Sequence, residues 1–284
     1  MKTNMFVKSH GLGNDYIVLD SEQLDFELTP ERIKRICDVH FGIGSDGILV
    51  KVPSSIADFG LLIYNTDASL AENCGNGLRI FSKFLVDYKY TNKSNFTIDI
   101  MGRLIHSTII EKQDGRVSKV KVEMGKANFT SSHIPLDFSK TECVHETIVI
   151  DNKEFIINCV SVGNPHCVVL RDTLDYNELC TYAPKIQALP MFPNGVNVQF
   201  AKRISETEVA ILIYERGVGY TLASGSSSCA VASVMVKNKL TLPQVNIQMP
   251  GGVLDIAISS NWDITMIGEV QEIAHGALSK EMVY

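Results

Sequence analysis

Two short glycine-flanked elbows hold the residues best suited to chemistry, Ala71-Glu72-Asn73-Cys74-Gly75-Asn76-Gly77 and Ala223-Ser224-Gly225-Ser226-Ser227-Ser228-Cys229. Each runs at once into an apolar, helix-like stretch, Leu78 to Val86 and Ala230 to Val236. That order predicts an exposed thiol or hydroxyl at the mouth of a helix, beside unpaired backbone N–H donors and a positive dipole end. Such a mouth binds a carboxylate and favours a thiolate over a thiol. Two elbows facing each other would set an acid or base on either side of one bound anion.

The elements that must position these elbows are mostly strands. Leu61 to Tyr64 is a short apolar run, and Leu104 to Glu111 and Val117 to Met124 flank Asp114-Gly115, a hairpin signal. Val120, Val122 and Met124 alternate with Lys119, Lys121 and Glu123, as in a half-buried strand. Glu146 to Ile150 and Phe155 to Val162 form a second expected pair across Asp151-Asn152-Lys153. Val209 to Tyr214, Val245 to Met249 and Val253 to Ile258 extend the pattern, the last two joined by Pro250-Gly251-Gly252. Thr29-Pro30-Glu31 reads as a cap, a first-turn proline and an early acid opening a helix over Arg32 to Val39. A further helix is expected over Leu174 to Tyr182. The helix after the first elbow shows a wide apolar face (Leu78, Phe81, Phe84, Leu85), whereas Cys229 to Val236 is apolar nearly all round and must be enclosed by protein.

The halves echo each other as strand, polar loop, elbow and buried helix. Tyr64-Asn65 precedes the first elbow and Tyr214-Glu215-Arg216 the second. The echo covers about 20 residues, one supersecondary unit. The expected architecture is α+β: two pseudo-symmetric domains, each a mostly antiparallel sheet or barrel around a central helix, with the active site in the cleft between them. The expected domains are 1–128, to which the tail 274–284 returns, and 129–273, with the boundary in the polar stretch Asn128 to His133.

Composition narrows the function. A length of 284 residues suits two domains. A net charge of −6 without long charged runs argues against nucleic acid or an anionic membrane as partner. Apolar runs are too short to cross a bilayer, and Met1 to Lys8 lacks the apolar core of a signal peptide. Cysteines number 7, an odd count with no CxxC pair, which disfavours a disulfide framework or zinc ribbon and fits a reducing cytoplasm. Most are expected to be small buried hydrophobes, with Cys74 the exception because of its glycine-flanked setting.

The motifs in order are His10-Gly11-Leu12-Gly13-Asn14-Asp15-Tyr16, Phe41 to Gly47, Asn65-Thr66-Asp67-Ala68-Ser69, Cys74-Gly75-Asn76-Gly77, Gly163-Asn164-Pro165-His166, Phe192-Pro193 through Asn197-Val198, Glu215-Arg216-Gly217 and Pro250-Gly251-Gly252. Across nearly the whole chain they resemble the diaminopimelate epimerase family of cofactor-independent amino-acid epimerases. Inversion of an α-carbon removes a proton from one face and adds one to the other, so two groups act, one as base and one as acid. Cysteine suits this, since its reference pKa of about 8.5 lies within reach of tuning by a helix mouth. Backbone N–H groups of Gly75, Asn76, Gly225 and Ser226 are expected to stabilise charge building on the substrate carboxylate, so that no metal or pyridoxal cofactor is needed.

By the same resemblance Cys74 matches the first catalytic cysteine. Asn14, Asn65, Asn164, Asn197 and Arg216 match residues that hold the substrate, particularly its distal end. The Arg216 fork suits a carboxylate. Glu215 matches the residue that receives the substrate ammonium, and His166 a supporting group. Taken singly, the asparagines suit turns for backbone reasons, His166 could merely satisfy a loop, and Glu215 and Arg216 could be a solvated ion pair. The resemblance also implies a homodimer acting on a small-molecule amino acid.

Ser224 departs from the family pattern, standing where the second catalytic cysteine falls. A hydroxyl is a far weaker acid than a thiol and needs a neighbouring base. Three explanations stand open: an engineered or deliberately inert variant, a natural branch in which a nearby polar group assists Ser224, and a thiol supplied by Cys229. The third is disfavoured, because Cys229 is expected to face the core. Tyr220, Ser45 and Ala68 also depart from common family residues, and with the serine run 226–228 they favour natural drift. The leading expectation is interconversion of LL- and meso-diaminopimelate. A racemase with another substrate, such as a basic amino acid, and a silent binding protein are the rivals.

Overall fold

Left-handed turn residues set the hairpins of this chain. The computed structural model describes residues 2–71 and 74–283, so Glu72 and Asn73 of the first elbow lie outside the described residues. Met101 and Gly102 (φ 52° and 85°), Asp114 and Gly115 (51° and 79°), and Asp151 and Asn152 (50° and 62°) take the positive φ that two-residue hairpin turns require. The chain divides into two compact units, Met1–Val122 with Gly268–Tyr284, and Glu123–Ile267.

The first unit holds β1 (Met5–Gly11), β2 (Asn14–Asp20), α1 (Pro30–Cys37), β3 (Gly47–Val52), β4 (Phe59–Asn65), α2 (Gly75–Asp87), β5 (Asn95–Ile100) and β6 (Arg103–Gln113), and β7 (Arg116–Lys126) begins in it. β1 and β2 are antiparallel, with Phe6 opposite Leu19. β2 and β3 run parallel, with Ile17 opposite Ile48. β3 and β4 are antiparallel, with Gly47 opposite Asn65, and β4 and β5 are parallel. β5, β6 and β7 close as hairpins.

The second unit contains β8 (Glu146–Ile150), β9 (Lys153–Ser161), β10 (Pro165–Leu170), α3 (Tyr176–Gln187), β11 (Asn197–Arg203), β12 (Glu208–Glu215), β13 (Gly219–Thr221), α4 (Gly225–Lys237), β14 (Gln244–Met249), β15 (Gly252–Ile258) and most of β16 (Asp263–Glu269). Its pairings repeat the order of the first: β9 and β10 antiparallel, β10 and β11 parallel with His166 opposite Asn197, β11 and β12 antiparallel, β12 and β14 parallel, and β14 and β15 antiparallel. The final strand β17 (Gln271–Ala277) pairs antiparallel with β1, as β8 does with β9, and α5 (Lys280–Val283) follows it. The α+β class expected from the sequence is the observed one.

Each unit encloses one helix of 13 residues, α2 against β1, β2 and β6, and α4 against β9, β10 and β15 among others. Both are buried nearly all round, as expected of the helix that follows each elbow. The polar residues of α2 are satisfied internally. Ser82 Oγ donates to Leu78 O at 2.7 Å and lies 2.7 Å from Ser107 Oγ. Lys83 Nζ donates to Asp87 (2.8 Å) and to Val117 O (2.7 Å). Two helix ends also differ from expectation. α1 stops at Cys37, because Asp38 Oδ1 accepts from His40 N and Phe41 N and turns the chain, leaving Val39 74% exposed. α3 continues past Tyr182 to Gln187 with Pro184 inside it. No helix among the described residues is long and apolar enough to cross a membrane.

Candidate active site

Cys74 is the N-cap of α2. It is extended (φ −150°, ψ 106°), and its Sγ accepts from the N–H of Gly77 at 3.2 Å, the position usually taken by a serine or aspartate oxygen. The Tyr16 hydroxyl, from β2, lies 3.3 Å from the same sulfur. Burial pushes the thiol above its ordinary range, while the Tyr16 hydroxyl, the Gly77 N–H and the charge of Arg79 pull it back.

Around this sulfur the first unit builds a chain of polar contacts. Arg79, fully buried, donates to Asn76 Oδ1 (2.7 Å) and to Gly75 O (3.2 Å). Asn76 Nδ2 donates to Asn14 Oδ1 (3.1 Å), and Asn14 Nδ2 to Asp46 Oδ2 (2.8 Å). Asn14, Cys74, Gly75 and Asn76 thus share one locale. Asn65 sits at the end of β4, where its Nδ2 donates to Ser69 Oγ (2.9 Å) and its carbonyl accepts from Ala68 N. Two glycines leave room for this arrangement. A Cβ on Gly47 would stand 2.7 Å from the Tyr16 ring and 2.4 Å from Tyr64 O, and one on Gly11 2.9 Å from Arg79 Nη2. Ser45 ties down Gly47: its Oγ lies 2.6 Å from Gly47 O and accepts from Gly47 N at 3.1 Å.

Ser224 caps α4 in the same backbone conformation (φ −151°, ψ 125°), with Oγ accepting from Ser227 N at 3.4 Å. The exposure expected of both elbow groups is not found, since Cys74 is half-buried and Ser224 buried. Ser226 Oγ stands 3.4 Å from Ser224 Oγ. Burial raises the Glu215 carboxyl above the usual carboxylate range, while the nearby Ser224 hydroxyl pulls it back down. Glu215 and Arg216 do not pair with each other. Arg216 is exposed, its Nη1 donating to Asn194 O (2.7 Å) and its N–H to Asn197 Oδ1 (3.0 Å). Asn197 Nδ2 in turn donates to Pro165 O (3.0 Å).

His166 is fully buried between Asn164 Oδ1 (2.9 Å from Nε2) and Gln199 Nε2 (3.1 Å from Nδ1). Burial lowers its pKa to about 3, against the Gln199 hydrogen bond and with help from the Arg216 charge, so the imidazole is neutral at physiological pH. Gln199 also donates to Ser227 Oγ (3.0 Å), linking His166 to the first turn of α4. Cys229 is completely buried in α4.

The profile described as Diaminopimelate epimerase matches residues 6–130 and 158–273, most of the chain. The chain belongs to the diaminopimelate epimerase family. It is 44% identical to "Diaminopimelate epimerase 2" of Nostoc sp. over 98% of this chain and 96% of that protein. It is 34% identical to the diaminopimelate epimerase of Bacillus subtilis over 97% and 99% of the two. Among solved structures it resembles a hydroxyproline epimerase from Agrobacterium vitis (TM-score 0.70, 11% identity, 97% and 92% covered). It also resembles a Bacillus anthracis phenazine biosynthesis protein of the PhzF family (TM-score 0.70, 15% identity, 98% and 100% covered). At those identities the likeness is one of fold.

Tyr16, Asp46, Arg79 and Gln199 carry contacts that sequence reasoning did not single out. Arg79 was accessible through helical spacing, since it lies three residues after Asn76 and four after Gly75, on one face. Tyr16 shares a strand face with Asn14, but nothing in the sequence directs its hydroxyl to a sulfur.

Proposed function

We propose that this chain is an isomerase interconverting LL- and meso-diaminopimelate by two-base proton transfer at the α-carbon, without pyridoxal phosphate or metal. Cys74 serves one face of that carbon and Ser224 the other. As one group removes the α-proton the other delivers a proton to the opposite face, so the product differs only in configuration. Gly75, Asn76, Gly225 and Ser226, at the first turns of α2 and α4, stabilise charge on the substrate carboxylate. Asn14, Asn65, Asn164, Asn197 and Arg216 hold the amino-acid ends, and a neutral His166 keeps Asn164 in place.

The observation that carries this reading is the matched capping of two buried helices by Cys74 and Ser224, in a chain of this family. Glu215, near Ser224 and raised by burial, supplies the base a hydroxyl requires. This favours the natural branch in which Ser224 works. The enzyme acts on a small amino acid in the cytoplasm as a homodimer. Proton NMR in heavy water tests the activity: deuterium should enter the α-position of LL-diaminopimelate with formation of the meso isomer. A folded protein that exchanges no α-deuterium at any pH overturns the assignment.

A further inference from the structure

The structure assigns Tyr16 as the residue that positions and holds the Cys74 sulfur in its proton-accepting state, an inference that rests on the epimerase reading for its role in turnover but not for its chemistry. Sγ accepts from the Gly77 N–H at 3.2 Å and, as the thiol, donates to the Tyr16 hydroxyl oxygen at 3.3 Å, so the sulfur is held between partners from α2 and β2. Tyr16 is itself only 6% exposed, and its ring occupies space that any side chain at position 47 would fill. Among the described residues, other charged or titratable groups near the sulfur are few. Arg79 of α2 faces it, while Asp15 and Asp46 lie beyond Asn14 and engage Lys8 and Asn14. Leu49 of β3 and Gly11 of β1 bring no charge to the elbow.

Once the thiol proton leaves, the Tyr16 O–H can turn to donate to the sulfur, and because a hydrogen bond to a charged acceptor is stronger than the neutral S–H···O contact it replaces, Tyr16 favours the thiolate and pulls the thiol pKa down. It also fixes the sulfur's rotamer, because Gly77 and Tyr16 grip it from two elements. The second unit has no such grip. By strand register the counterpart of Tyr16 is His166, which bonds Asn164 and Gln199. The device therefore belongs to the Cys74 face alone.

The test is the pH dependence of iodoacetamide alkylation at Cys74, followed in the full-length protein by mass spectrometry of the Cys74 peptide. Tyr16→Phe should move the midpoint up by about one pH unit and slow alkylation at neutral pH about tenfold. Replacing Tyr16 with 3-fluorotyrosine, a stronger donor of nearly the same shape, should move it down, and this variant decides the matter if Tyr16→Phe fails to fold. In the exchange assay Tyr16→Phe should lower kcat about tenfold with KM nearly unchanged. An unmoved midpoint in folded Tyr16→Phe, or an upward shift with fluorotyrosine, overturns the inference even if exchange is intact. If the midpoint moves but the parent protein exchanges no α-deuterium, the epimerase reading falls and the role of Tyr16 stands.

Discussion

The two elbows share a backbone and differ in what surrounds the capping atom. Extending the registers by one residue aligns Tyr16, Gly47 and Asn65 in the first unit with His166, Asn197 and Glu215 in the second. Where Gly47 has no side chain, the Tyr16 ring fills the space and its hydroxyl reaches Cys74. Where Asn197 stands instead, it bonds Pro165 O and the Arg216 backbone, and His166 turns to Asn164 and Gln199. The end of β4 carries a neutral Asn65, and the corresponding end of β12 an acidic Glu215. The thiol is thus held by a backbone N–H and a phenol, and the hydroxyl has a carboxyl near it. Each elbow carries the partner its own proton chemistry needs.

The severest way to break this comparison is to make both caps hydroxyls. Cys74→Ser should lower α-deuterium exchange by about 10³-fold or more, since a hydroxyl is a far weaker acid than a thiol and, among the described residues, no carboxylate hydrogen-bonds that cap. The reciprocal Ser224→Cys should raise turnover by about 10²-fold, because a thiol ionises far more readily than a hydroxyl. A fall below the parent rate would show that Ser224 is not a proton-transfer group. Glu215→Gln should cost about 10²-fold in exchange in the parent chain and much less in the Ser224→Cys background. Equal losses in both would remove Glu215 as the base for Ser224.

A smaller effect separates the units by stability. His166 is held neutral with a pKa of about 3 against an ordinary 6.5. Below the unfolded value the unfolded chain binds the extra proton and the folded one does not. The stabilisation present above about pH 6.5 is therefore lost as pH falls toward 3, by at most about 1.4 kcal/mol per pH unit. Urea unfolding between those limits should show a shallower pH slope in His166→Gln than in the parent. The least effect concerns the loops before the elbows. After β12 a left-handed position is filled by Gly217 (φ 80°), and after β4 by Ala68 (φ 73°). Ala68→Gly should raise the unfolding midpoint, by up to about 1 kcal/mol, because the Cβ strain exceeds the added unfolded-state entropy.

Hairpin turns, both elbows and the enclosure of Cys229 to Val236 were legible, because turn residues and apolar runs act locally. Several strands were not. β2, β3 and β11 are buried almost continuously, so they lack the alternation that marks a one-faced strand. The apolar face of α2 is visible in its sequence, but the enclosure of Ser82 and Lys83 depends on Ser107 and Val117 from other strands.

What the sequence determined by itself was the pair of capped helices, the repeat of strand, loop, elbow and helix, and the family, since all three rest on contiguous residues. Only the tertiary structure decided which groups meet the capping atoms. Tyr16 reaches Cys74 across 58 positions, and Gln199 reaches Ser227 across 28. Such meetings depend on strand register and on the room left by a missing side chain, quantities that no local pattern of residues encodes.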